Sequence, residues 1–276
     1  MRPCLSGVTI MPASFAEDVA YAADAGCAAL EVWLPKLENH LETHGLDATR
    51  KLLAERGVTL PAAAFQGGLL LSQGEKRKAA FDHFRTRLDL CQALGIPTLI
   101  VVPDFVDAVD AQSLERAVVS LKQAAQWAAG FDVRLALEFQ AKGTFCACLE
   151  TACALIHECD EPNVGVNLDV FHYYTGPSKP EDFALAPERL FHVQFCDLSG
   201  VPRELATDAD RILPGDGDFR FDILLEALRG LRYDGWVALE LMNPQLWRGN
   251  LQQVAEIGVT ALRKVLGLAA MTDAGR

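Results

Sequence analysis

Short, almost unbroken apolar runs alternate along the chain with segments in which apolar residues recur every three or four positions. The runs LSGVTI (5–10), AALEVWL (28–34), VTLPAAAF (58–65), TLIVVP (98–103), RLALEF (134–139), VGVNLDVF (164–171), LFHVQFCD (190–197) and WVALEL (236–241) predict eight strands. Apolar at successive positions, they fit parallel strands covered on both faces. Between them, Ser14 and Glu17 form a capping box that opens a helix. Gly57 closes the helix after Asp47, and Gly95 closes another whose stripe is Phe81, Phe84, Leu88 and Cys91. Leu114, Val118, Leu121 and Ala125 line a further helix, and Leu251, Val254, Gly258, Leu262 and Val265 line the last. Eight β/α units at a spacing of roughly 34 residues predict an α/β fold, a (β/α)8 TIM barrel, as one domain over 1–276. A doubly wound open sheet would show the same alternation, but no G-x-G-x-x-G or G-x-x-x-x-G-K-[ST] follows the first run.

Charge narrows the partners. With 25 Lys and Arg against 37 Asp and Glu the formal net charge is −12, which disfavours nucleic acid and anionic membrane surfaces as partners. No apolar run approaches the roughly 18 residues of a membrane span. The opening MRPCLSGVTIMPASFAEDV, with one Arg and an apolar stretch broken by Gly7 and Pro12, does not read as a signal peptide, so a soluble, cytoplasmic protein is expected. The eight cysteines include no C-x-x-C pair, and all eight are read as free thiols.

In a TIM barrel the chemistry projects from the C-terminal ends of strands. Four polar residues interrupt the apolar runs there: Glu138, Asp169, Gln194 and Glu240. Period-two alternation puts each on the face of the residue two before it (Ala136, Asn167, His192 and Ala238), with Leu137, Leu168, Val193 and Leu239 turned outward. Three converging carboxylates need a proton or a cation among them, and one divalent metal ion meets that need. Oxygen donors suit Mn²⁺ or Mg²⁺ ahead of Co²⁺ or Zn²⁺, because no imidazole or thiolate is in the predicted set. His172, at the rim of the sixth strand, is a candidate to hold a substrate oxygen or shuttle a proton, against the alternative of a surface histidine. Arg211 lies in TDADRILPGDGDF (207–219), a loop constrained by Pro214, Gly215 and Gly217; it pairs with Asp208 or Asp210, or donates to a substrate oxygen. On the second strand Glu31 is placed to contact substrate hydroxyls and Trp33 to wall the pocket. Lys36, His40 and His44 are read as a following loop, the histidines solvated, and Lys142 is left undecided.

At these residues the chain resembles the xylose isomerase-like TIM barrels, the sugar phosphate isomerase/epimerase superfamily, over essentially its whole length. The similar segments are KLENHLETHGLD, LALEF, NVGVNLDVFH, TDADRILPGDGDF and ALELMNPQLW, and within the group the likeness is greatest to inosose (2-keto-myo-inositol) isomerases. The resemblance implies that Glu138, Asp169, Gln194 and Glu240 bind the metal and that His172 and Arg211 contact substrate. One departure bears on the substrate: the inosose isomerase pattern has His where this chain has Gln194, whereas hydroxypyruvate isomerases and 3-dehydroshikimate dehydratases use Gln.

The implied activity is isomerisation or epimerisation of a small polyhydroxy ketone, a keto-inositol or a ketose, with Glu138 and Glu240 removing and returning a proton next to the carbonyl. The same proton abstraction with a β-leaving group would make the enzyme a dehydratase; cleavage of a keto-sugar from an aglycone is a further lyase option. A phosphodiesterase of the endonuclease-IV type shares the barrel but needs extra histidines and a basic face, and the chain has 6 His and a net charge of −12. A barrel that has lost activity and serves as a partner subunit is disfavoured by the intact Glu138 and Glu240, and a homo-oligomer is left open.

Overall fold

The computed structural model describes residues 1–186 and 188–268, so the last residues of the predicted domain lie outside the described ones. Eight parallel strands follow one another in chain order round a closed barrel: β1 (Arg2–Ser6), β2 (Ala29–Trp33), β3 (Thr59–Gln66), β4 (Thr98–Val101), β5 (Arg134–Glu138), β6 (Val164–Asp169), β7 (Leu190–Phe195) and β8 (Trp236–Leu239). The helices between and after them are α1 (Phe15–Asp24), α2 (Leu34–Arg56), α3 (Gly74–Leu94), α4 (Ala111–Ala129), α5 (Leu149–Cys159), α6 (Val170–Thr175), α7 (Phe221–Gly230) and α8 (Leu251–Val265). The predicted (β/α)8 barrel is the observed fold, and no helix among the described residues is long and apolar enough to cross a membrane.

Packing gathers the chain into two compact units, Met1–Leu60 with Gln194–Arg276, and Pro61–Val193. In the first, β1 lies between β8 and β2, with Cys4 opposite Ala238 and Ser6 opposite Glu31. Cys4, Ala29 and Ala238 make a layer of small buried side chains, so the polar layer nearer the strand ends rests on a filled floor. In the second, β4 pairs with β3 and β5, and β5 with β6, where Glu138 lies opposite Asn167.

The helix signals hold where capping chemistry sets them. The Ser14–Glu17 box is closed by reciprocal bonds of 2.7 and 3.3 Å. Gly57 and Gly95 stand at φ +64° and +67°, the left-handed conformation that ends a helix with least strain in glycine. Elsewhere the boundaries move. The first strand covers Arg2–Ser6 rather than 5–10, because from Gly7 the chain turns, Thr9 donating back to Ser6 and Ala13 to Ile10. The sixth stops at Asp169, which caps α6, so His172 belongs to a helical turn and not to a strand rim. Lys36, His40 and His44 lie on α2 and not in a loop: Pro35 starts that helix, and the break falls at Gly45, φ +74°. His40 and His44 stack at 4.3 Å. On α4 the buried stripe is Ser113, Ala117, Ser120, Leu121, Ala124, Ala125 and Ala128, so the small residues face inward while Leu114 and Val118 are only half-buried.

Lys36 fixes the β1–α1 turn. Its ammonium donates to Gly7 O (2.9 Å), Ile10 O (3.0 Å) and the Asp18 carboxylate (2.8 Å), which uses all three of its protons. A Cβ at residue 7 would stand 3.0 Å from Asp18 Oδ2, so a larger residue there would crowd that carboxylate. Burial pushes the Asp18 carboxyl up to about 8 against the pull of Lys36, and burial lowers Lys36 against the pull of Asp18. A carboxyl raised on folding stabilises the fold fully below its unfolded pKa, and that contribution is lost as the pH rises through about 8. Lys36→Met strands Asp18 without its cation and is expected to lose about 3–5 kcal/mol in urea unfolding. The deficit should be larger in alkaline than in mildly acidic buffer; a deficit independent of pH would mean that Asp18 does not ionise in the fold.

Candidate functional site

At the C-terminal ends of β5 and β6 the alternation of VGVNLD and RLALE turns Glu138, Asn167 and Asp169 to one face. Asn167 Nδ2 donates to Glu138 Oε2 at 2.8 Å across the register pair, and Gln140 Nε2 donates to Oε1 at 2.7 Å. Asp169 spends Oδ1 on the Phe171 N–H at 2.8 Å as the cap of α6. That helical turn brings His172 back, with Nε2 at 3.6 Å from Asp169 Oδ2 and 3.7 Å from Glu138 Oε1. One ligand atom from each of Glu138, Asp169 and His172 lies within 4.8 Å of the others, and all three residues are buried. Two buried carboxylates this close to one imidazole could hold a divalent cation, or an imidazolium, because water is too scarce to carry their charge. Glu138 and Asp169 belong to the predicted set, and the imidazole of His172 beside them suits Zn²⁺ as well as a harder cation.

In the other unit a second chain of polar groups runs through the strand ends. Ser6 Oγ donates to Glu31 Oε1 at 2.6 Å, and Gln194 Nε2 donates to Glu31 Oε1 at 3.1 Å and to Glu240 Oε1 at 2.9 Å. Two carboxylates on one nitrogen determine which end of the amide is the NH₂. Glu240 follows β8 rather than ending it, yet its N–H still donates to Phe195 O at 3.0 Å. Its Oε2 meets Arg211 Nη1 at 3.0 Å. Arg211, 1% exposed, also gives Nε and Nη2 to Asp208 Oδ1 at 3.0 and 2.7 Å, so the pairing with Asp208 weighed from sequence is present. Glu31 is fully buried, Trp33 is half-buried at the start of α2, and Lys142 is exposed.

Three partners escaped the sequence. Ser6 lies within the predicted first strand, but its place opposite Glu31 is set by the β1–β2 register, which has no trace in the sequence. Gln140, two beyond Glu138, continues the same alternation past the strand end, a signal that was available. Asp197, buried after β7, carries the loop over 212–219 on its carboxylate through Gly215, Gly217 and Phe219 N–H groups; nothing in the local pattern marks it.

The sequence pattern of the Xylose isomerase-like TIM barrel family matches residues 19–265, and the chain belongs to that family. An inosose isomerase of Halalkalibacterium halodurans is 26% identical over 259 residues, 90% of each chain. A 3-dehydroshikimate dehydratase of Pseudomonas aeruginosa is 28% identical over 203 residues, 70% of this chain but 31% of that longer protein. Among solved structures, the IOLI protein with a bound zinc atom superposes with a TM-score of 0.91 at 22% identity, over 97% of this chain and 98% of that one. Its likeness to named inosose isomerases, one of them over 90% of both chains, makes this chain an enzyme.

The donors around Glu138 differ in burial. Asn167→Ala leaves a buried carboxylate oxygen without its amide and should cost about 1–3 kcal/mol in unfolding free energy, whereas Gln140→Ala, at a half-buried side chain, should cost less. Chemical denaturation of the two variants side by side gives the order.

Proposed function

We propose that this barrel is a divalent-metal-dependent isomerase or epimerase of a small polyhydroxy ketone, a keto-inositol or a ketose. The observation that carries the reading is the buried Glu138–Asp169–His172 group, a cation-binding donor set at the ends of adjacent strands. In this reading the ion is held at that group, with Glu138 and Asp169 as ligands, and it supplies positive charge to the oxygens of the substrate when bound. The zinc held by the IOLI protein and the imidazole beside Glu138 and Asp169 support Zn²⁺ as a candidate alongside Mn²⁺ and Mg²⁺.

The chain's own residues handle the proton. Glu240 and Glu138 are the two carboxylates that take a proton from the carbon next to the carbonyl and return it. Return to the neighbouring carbon isomerises; return to the same carbon from the other side epimerises. Arg211, shared between Glu240 and Asp208, serves by holding the Glu240 carboxylate in place. His172 Nε2, facing both carboxylates of its group, holds a substrate oxygen or relays the proton. Glu31 is linked to Glu240 through the amide of Gln194. A second reading, proton abstraction followed by loss of a β-hydroxyl, is supported by Gln194 and by the likeness to a 3-dehydroshikimate dehydratase.

Two measurements decide. Metal analysis of the purified protein should give about one divalent ion per chain and a clear loss in Asp169→Ala; full occupancy in that variant would place the ion elsewhere. Deuterium uptake next to the carbonyl in D₂O, followed by NMR with a keto-inositol, a ketose and dehydroshikimate in turn, identifies the substrate class and separates isomerised from dehydrated product. Glu240→Gln with metal retained should exchange about 10²- to 10⁴-fold more slowly. A variant as fast as wild type would remove Glu240 from the proton transfer.

A further inference from the structure

Between β7 and α7 the chain leaves the barrel at Cys196 and returns at Ile212. Asp197 and Ile212 exchange both backbone hydrogen bonds, each 2.9 Å, as an isolated antiparallel bridge. The Asp197 side chain then closes the return segment. Oδ1 accepts from Leu198 N (2.9 Å) and Phe219 N (3.0 Å), and Oδ2 from Gly215 N (2.9 Å) and Gly217 N (3.0 Å). A carboxylate offers about four lone-pair sites, and these four backbone donors fill them. Fully buried and saturated, Asp197 has no oxygen left for an ion or a substrate, although it stands three residues from Gln194.

The fit around it is close. A Cβ on Gly217 would lie 2.4 Å from Asp197 Oδ1 and 2.5 Å from Leu198 O, and Gly215 sits at φ +91°, where other residues are strained. Arg211 immediately precedes the bridged Ile212. Its backbone oxygen accepts from Asn243 Nδ2 at 2.9 Å, and its guanidinium lands on Glu240 Oε2 at 3.0 Å. A buried guanidinium reaches a buried carboxylate only if the backbone that carries it is held in place; Asn243 holds the carbonyl of Arg211 itself, and the Asp197 bridge and clasp hold the chain from the next residue on.

We propose that Asp197 is a positioning residue: by clasping 212–219 through the backbone N–H groups of Gly215, Gly217 and Phe219 it sets Arg211 against Glu240. The inference rests on the reading of Glu240 as a proton-transfer carboxylate only for its effect on rate; its effect on Arg211 is independent of that reading. Asp197→Asn replaces two acceptor sites with an NH₂ that opposes two backbone donors. Gly217→Ala leaves the carboxylate present but displaces it, and it carries the same test if Asp197→Asn does not fold.

The first readout needs no substrate: modification by phenylglyoxal, located by mass spectrometry. Arg211 should be protected in the wild type and at least about tenfold more reactive in both variants, as expected when local opening becomes frequent. The second is exchange of the keto-inositol proton in a cycle with Arg211→Lys. Asp197→Asn alone should lower kcat about 10- to 100-fold with a smaller change in KM, and should cost less than about threefold more when added to Arg211→Lys, because both act through one group. Continued protection of Arg211 in both folded variants, or losses that multiply in the double variant, would overturn the proposal. A wild type that exchanges no proton would defeat the functional reading, leaving the arginine labelling to decide the positioning claim.

Discussion

Buried carboxylates are the constraint on which the rest of this structure turns. Glu31, Asp169 and Asp197 are fully buried and Glu138 and Glu240 nearly so, and a carboxylate out of water is tolerated only when donors replace its hydration. The donors fall into two kinds. Asp197 is saturated by backbone N–H groups, as Asp104 largely is by those of Leu70, Leu71 and Ser72, so their charge goes into holding loops still. Glu138 is met instead by two neutral amides, from Asn167 and Gln140. Neutral dipoles satisfy the hydrogen-bonding capacity of a carboxylate without cancelling its charge, which leaves that charge available to a cation.

The same economy explains the division of labour in the loops after the strands. Three of them are tied by one charged side chain, half-buried or buried: the turn after β1 by Lys36, the segment after β3 by Asp104, the segment after β7 by Asp197. A loop tied at its backbone keeps its side chains where its sequence puts them, as a site built on loops requires. The helix after β6 is the exception, since there the ligand candidate Asp169 is itself the cap, and the position of His172 follows from that one bond.

Much of this was legible in the sequence, for definable reasons. The barrel was readable because parallel strands buried on both faces leave unbroken apolar runs, and the faces of Glu138, Asp169 and Gln194 followed from period two. The misses come from interactions that have no one-dimensional trace. Val8 and Ile10 are apolar and buried like a strand, yet belong to a turn that Lys36 holds from 26 residues away. The histidines of α2 looked like a loop because Gly45 breaks the helical pattern although the helix resumes beyond it. Asp197 looked like any acidic residue at a strand end; only the return of Gly215 and Gly217 to its carboxylate shows that it is already spent.

The eight cysteines, all free and all buried, have a practical consequence. Burial raises the thiols of Cys91 and Cys153 to about 12 and that of Cys159 to about 11, so thiolate is scarce at neutral pH and what forms is screened from reagents. The folded enzyme is therefore expected to react slowly with aromatic disulfides, and each chain that opens to release thiol signal. Colorimetric thiol titration thus counts unfolded molecules directly, and a single cysteine introduced on an exposed helix face accepts a fluorophore with the native eight left in place.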